Sequence, residues 1–97
     1  MKAQTLEAFS TAAKTMGYDE CLVREWAPSL EIDTHTHPFD VSGLVVRGEF
    51  KLTVGEVQTT YKAGQPFSLA RNIPHAEHYG AEGATVWVAR AHDINPT

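Results

Sequence analysis

Near the N-terminus the apolar positions Leu6, Phe9, Ala13 and Met16 fall at steps of three and four, after which the apolar spacing shortens toward two. The first spacing predicts an amphipathic helix over about residues 5–16, with Glu7 in its first turn and Gly17 where a C-cap belongs. Its apolar stripe is short, which suits a lid packed on the rest of the fold, or a subunit contact, better than a helix that binds a separate partner. From Tyr18 to Ala91 the chain runs in short segments rich in Val, Thr, Phe, Tyr and Trp, separated by Gly, Pro and Asn. That texture predicts strands over 21–26, 30–37, 41–46, 49–54, 57–62, 66–70, 75–79 and 85–91. Turns are expected at Pro28, Gly48, Gly55-Glu56, Ala63-Gly64, Asn72-Ile73-Pro74 and from Gly80 to Gly83. Many short strands with no second helix call for an all-β, antiparallel sandwich or barrel that closes its own edges and leaves a mouth for a site. Residues 1–97 are expected to form one domain, a helix, a barrel over about 18–91 and a frayed tail over 93–97.

Composition changes this picture little. With 42% hydrophobic and 21% charged residues the chain is of ordinary globular type. At 97 residues it buries only about 60–65% of its unfolded surface, so a metal or a second subunit is an expected source of stability, and a homodimer is the expected assembly. Eight Lys+Arg against twelve Asp+Glu give a net charge of −4, which repels a phosphate backbone and argues against nucleic acid as a partner. No apolar run approaches the ~20 residues of a bilayer span, so no membrane partner is expected. A lone Cys21 cannot pair within the chain and the N-terminus lacks a signal-like apolar run, which together suggest the cytoplasm.

The candidate chemistry lies in the five histidines. His35-Thr36-His37 has the spacing that, on a strand, turns both imidazoles to one face. Such a pair serves equally to ligate a metal or to hydrogen-bond within a polar pocket, and a third imidazole decides between them. His75, just after Asn72-Ile73-Pro74 and at the start of a strand, is the candidate third ligand. His78 should face the other way, and His92 should be solvated. Glu77 and Tyr79 alternate with His75 and should either share its face, Glu77 as an outer-shell base and Tyr79 as a hydrogen-bond donor to a ligand, or lie on the rim where the chain bends after His75. Phe39, Phe50, Phe67, Trp26 and Trp87 are expected to fill the core, with Cys21 as a small hydrophobe among them. Arg47 and Arg71 are candidate partners for a carboxylate substrate.

The segment from His35 to Phe50, His-Thr-His-Pro-Phe-Asp-Val-Ser-Gly-Leu-Val-Val-Arg-Gly-Glu-Phe, resembles the first cupin motif, an HxH pair followed by a carboxylate and a glycine. Gly64 to His75 is similar to the second motif, with a glycine opening a strand and a histidine closing the turn after it. Both occur in order, with a short Lys51 to Ala63 stretch between them, and the span from His35 to His75 takes in 41 of the 97 residues. The resemblance is to small single-domain cupins of the RmlC-like superfamily. It implies a double-stranded β-helix or jelly-roll barrel and one divalent transition metal, Fe, Zn, Ni, Mn or Co, held by His35, His37 and His75.

The departures are specific. Val41 stands where the motif places its metal-binding Glu. Asp40, one residue earlier, faces away on a regular strand and can ligate only through a bulge. Asn72 replaces a motif glycine but also tolerates a left-handed turn. Tyr79 stands where an Asn sometimes closes the motif. The resemblance then implies a three-imidazole site with open positions, as in cysteine dioxygenase-like and diketone-cleaving members. Such a site fits a metal-dependent dioxygenase, isomerase or lyase acting on a small organic molecule. Other cupins are non-catalytic ligand-binding or sensor domains, and a structural or metal-storage role is a third reading.

Overall fold

The computed structural model describes residues 5–92. Helix α1 spans Leu6–Thr15. Thr5 caps it, its side chain accepting from the Ala8 N–H at 3.1 Å, while Glu7 in the first turn and Lys14 in the last complement the helix dipole. Only part of the expected stripe is covered. Ala13 is buried and Phe9 packs its ring 5.9 Å from Trp87, but Met16 is 72% exposed. The helix lies against β6 and β1, on the outside of the sheet, so Trp87 packs beneath the helix and not within the barrel.

Six strands follow: β1 (Glu20–Trp26), β2 (Glu31–His35), β3 (Asp40–Val54), β4 (Val57–Lys62), β5 (Pro66–Leu69) and β6 (His75–Ala91). All pairings are antiparallel. The eight expected strands become six because two expected turns are bends inside long strands. Residues 41–46 and 49–54 form one strand through Gly48, and 75–79 and 85–91 form another through Gly80 to Gly83. The pairing of β3 with β6 shifts register between Val45 and Arg47 and again between Gly48 and Phe50, which bends both strands at one place. Gly48 makes the bend, with φ +77° and the Gly83 carbonyl lying where a Cβ would stand.

The bend turns one hydrogen-bonded sheet into two facing layers. The first half of β3 and the second half of β6 pair with β5 and β1, and the remaining halves pair with β4 and β2. This is the double-layered jelly-roll architecture, with one short helix attached. Between the layers lie Val45, Phe50, Leu52, Tyr79, Ala84 and Val86, with Trp26, Ile32, Phe67 and Val88 around them. Burying each of the larger side chains contributes about 1.5–3 kcal/mol. Cys21 is half-buried, less enclosed than a core residue. Residues 93–97, expected as a frayed tail, lie outside the described residues. Among the described residues no helix is long and apolar enough to cross a membrane.

Candidate functional site

His35, the last residue of β2, is the register partner of His75, the first of β6. Opposed residues on antiparallel strands stand about 5 Å apart at Cβ, and the two rings lie 4.3 Å apart. His37 does not share the strand as expected. β2 ends at His35, and Pro38, which has no N–H, cannot extend a ladder. His37 is held instead by the other loop: Asn72, at φ +63°, donates its N–H to the His37 carbonyl at 2.8 Å. The His37 ring then lies 4.8 Å from both other imidazoles. One ring nitrogen from each of the three falls within 4.8 Å of the others.

Hydrogen bonds decide which nitrogens are free. Nδ1 of His35 lies 2.7 Å from the Asp33 carbonyl, and Nδ1 of His75 lies 2.8 Å from the Ile73 carbonyl. A carbonyl only accepts, so each Nδ1 carries a proton, and in the neutral ring the lone pair lies on Nε2. Burial pushes His37 down from 6.5 to about 4, with the neighbouring His75 and His35 acting in the same direction, so this imidazole is neutral at pH 7. Three imidazoles whose ring nitrogens are gathered this closely form a donor set suited to a divalent transition ion.

Glu77 and Tyr79 share the inward face of β6 with His75. Glu77 Oε2 lies 3.5 Å from His75 Nε2 and 3.6 Å from His35 Nε2. Its other oxygen, Oε1, accepts from the Tyr79 hydroxyl. Tyr79 is therefore directed at Glu77, whereas the alternation of β6 suggested a donor to a bound ligand. Its ring stacks on Trp26 at 5.0 Å and on Phe50 at 5.3 Å. Burial first, and the Glu77 charge second, hold the hydroxyl well above its ordinary value of 10, so it remains a donor.

Asp40 stays out of the site. The strand is regular where it would have to bulge, Asp40 pairing with Ala91 and Val41 with Arg90, and the Asp40 carboxylate is bound to Arg71. Val41 is buried and lines the cavity beside the histidines. Neither expected arginine reaches that cavity: Arg71 is occupied by Asp40 and the Ala91 carbonyl, and Arg47 bonds Thr85 and the Glu82 carbonyl on the exposed side. His78 faces outward toward Glu31, and His92 is exposed beside Asp19 and Glu20.

The imidazoles line a cavity of about 270 Å³ walled mainly by Trp26, Ile32, Phe50, Phe67, Val86 and Val88. Several aromatics expected to fill the core thus border an open volume. Two cations that sequence reasoning passed over, Arg24 and Arg90, also line it. Their alternation with Trp26 on β1 and with Val88 on β6 was the available signal. Arg90 is paired with Glu20 at 3.6 Å and lies over Phe39. Arg24 lies 4.6 Å over the Trp26 ring, and among the described residues it makes no ion pair.

A family profile described as the cupin domain matches residues 22–89, more than two thirds of the chain. Among solved structures, the fold is similar to KdgF from Halomonas sp. (TM-score 0.67, 16% identity, covering 77% of this chain and 69% of that one). It is similar also to an RmlC-like cupin from Shewanella frigidimarina (TM-score 0.65, 20% identity, 77% and 68%). A variant oxalate decarboxylase from Bacillus subtilis matches with a TM-score of 0.67 at 14% identity, over 73% of this chain and 20% of that one. At such identities the likeness concerns the fold alone. No curated protein matches the sequence.

Proposed function

Since this chain belongs to the cupin domain family, we propose that it holds one divalent transition metal at His35, His37 and His75 and uses it on a small organic acid. The observation that carries this reading is the convergence of the imidazoles within 4.8 Å of one another in the lining of a largely apolar cavity. Structural histidines of a core would bond inward through both nitrogens. Here Nδ1 of His35 and of His75 is spent on a carbonyl, and each Nε2 lies beyond ordinary hydrogen-bond length from Glu77 Oε2, at 3.6 and 3.5 Å. When bound, such a metal supplies Lewis-acid polarisation of a ligand oxygen or, if it is iron, redox chemistry with dioxygen.

The remaining roles belong to the chain. Trp26, Phe50, Phe67 and Val88 exclude water from the cavity and take the apolar body of the ligand. Arg24, without an ion pair among the described residues, offers a planar pair of donors to a carboxylate. The carboxylate of Glu77, fixed by Tyr79, stands beside the imidazoles.

The test is metal analysis of protein purified without a nickel column, followed by oxygen uptake with small carboxylic acids, thiols and diketones. One equivalent of metal, lost in His35→Ala, is expected; a content far below one that His35→Ala leaves unchanged overturns the reading. Turnover separates a catalyst from a ligand-binding domain.

A further inference from the structure

The valine at position 41 removes the carboxylate that the first motif would bring to the site from β3, which leaves three imidazoles. The folded chain brings a different carboxylate beside two of the three imidazoles. We propose that Glu77 is the fourth protein ligand of the metal, bound through Oε2, with Tyr79 fixing Oε1. The site is then a three-imidazole, one-carboxylate centre whose carboxylate comes from β6, two residues after His75. This inference rests on the reading of His35, His37 and His75 as a metal centre.

The first ground is the character of the facing atoms. With both Nδ1 atoms donating to carbonyls, Nε2 of His35 and Nε2 of His75 are turned toward Glu77, whose Oε2 lies 3.6 and 3.5 Å from them. At those separations neither contact has the length of an ordinary hydrogen bond, and three potential ligand atoms face one another across a gap.

The second ground is the setting of the carboxylate. Glu77 lies in register between Ile32 of β2 and Leu52 of β3, and its side chain is 13% exposed. Among the described residues no Lys or Arg nitrogen comes within salt-bridge distance of it; its polar neighbours are the Tyr79 hydroxyl and the two imidazoles. A carboxylate so enclosed is ordinarily paired or bound to a metal.

The third ground is distance. Ligand atoms at about 2.1 Å from a tetrahedral ion lie roughly 3.4 Å from one another, close to the two separations that Oε2 makes. The hydrogen bond from Tyr79 is the kind of outer partner that orients a ligating carboxylate.

A carboxylate ligand lowers the charge of the centre by one and leaves one position fewer for substrate than three imidazoles alone. It also sets the sign of an effect that a structural glutamate would not show. Replacing Glu77 by Gln removes the enclosed charge and supplies an amide N–H that can donate to a free Nε2. The metal-free variant should gain stability while the metal is held less tightly.

The experiment compares wild-type protein, Glu77→Gln, Tyr79→Phe and His75→Ala by Co(II) absorption titration, competition with a chelator, and melting of the metal-free forms. His75→Ala should lose Co(II) binding. Glu77→Gln should bind Co(II) about 100-fold or more weakly, with displaced visible bands, and should melt at or above wild type without metal. Tyr79→Phe should keep the wild-type bands with about a tenfold loss of affinity. If Glu77→Gln matches wild type in affinity and spectrum while His75→Ala does not bind, Glu77 is no ligand and the histidine centre stands. If Glu77→Gln melts well below wild type without metal, Glu77 is a structural residue and the proposal fails. If wild type takes up no Co(II), both readings fall together.

Discussion

Arg71 grips Asp40 at three points: its backbone N–H donates to Oδ1 at 2.7 Å, its Nε to the same oxygen at 3.3 Å and its Nη2 to Oδ2 at 3.3 Å. The same Nη2 also donates to the Ala91 carbonyl at 3.0 Å. One side chain thus ties the start of β3 and the end of β6 to the loop that carries Asn72 and leads into His75.

This clasp predicts a pH dependence. The hydrogen bonds from the Arg71 side chain and backbone hold the Asp40 carboxyl below its ordinary 3.8. A carboxyl whose folded value is depressed adds stability above its unfolded value, and that stability is lost as pH falls through the folded one. Asp40→Asn should therefore melt below wild type at pH 7. The gap should start to close near about pH 4 and vanish in stronger acid. A constant gap from pH 7 to pH 2 would count against the clasp as its source.

A second prediction concerns Gly43, which lies directly beneath the Phe67 ring, where a Cβ would overlap the ring atoms. The two residues are register partners across β3 and β5, so neither can move aside without breaking the pair. Gly43→Ala should cost about 1–3 kcal/mol by overpacking. Adding Phe67→Leu should recover part of that loss. A double-mutant cycle by urea unfolding measures the coupling, and simple additivity would contradict the contact.

Gly48 should be less replaceable still. At φ +77°, with the Gly83 carbonyl against its Cα, any side chain meets both backbone strain and a backbone atom that cannot give way. Gly48→Ala should lose about 1–3 kcal/mol or more. No single partner substitution should restore it, in contrast to Gly43→Ala.

The cavity cation gives a fourth. If Arg24 receives the carboxylate of the ligand, Arg24→Met should weaken binding of small carboxylic acids by about tenfold or more. Binding of the corresponding neutral amides should be unchanged, as should Co(II) affinity. Calorimetry on metal-loaded protein checks all three, and equal weakening of acids and amides would point to a loss of packing instead.

Much of this molecule is written in local sequence. The helix follows from a 3.6-residue stripe with a C-terminal glycine, the strands from period-two runs, and the left-handed Asn72 from its place before Ile73-Pro74. The inward positions of His75, Glu77 and Tyr79, and the outward one of His78, follow from alternation alone. Val41 as a missing carboxylate was legible only through the resemblance to the first cupin motif.

What the chain could not state locally was decided by pairing over long distances. A glycine marks a hairpin turn and a bend within a strand with the same letter. Only the partners of β3 and β6 make Gly48 and Gly80 to Gly83 bends that fold one sheet into two layers. His37 leaves the strand because Pro38 ends the ladder, and it is recovered by Asn72, 35 positions along the chain. Arg24 acquires its cavity, and Glu77 its place beside His35, from strands that meet only in the folded protein. Sequence alone determined which residues could serve a metal; the tertiary fold decided which of them face one point, because side-chain direction is local while the neighbours it meets are not.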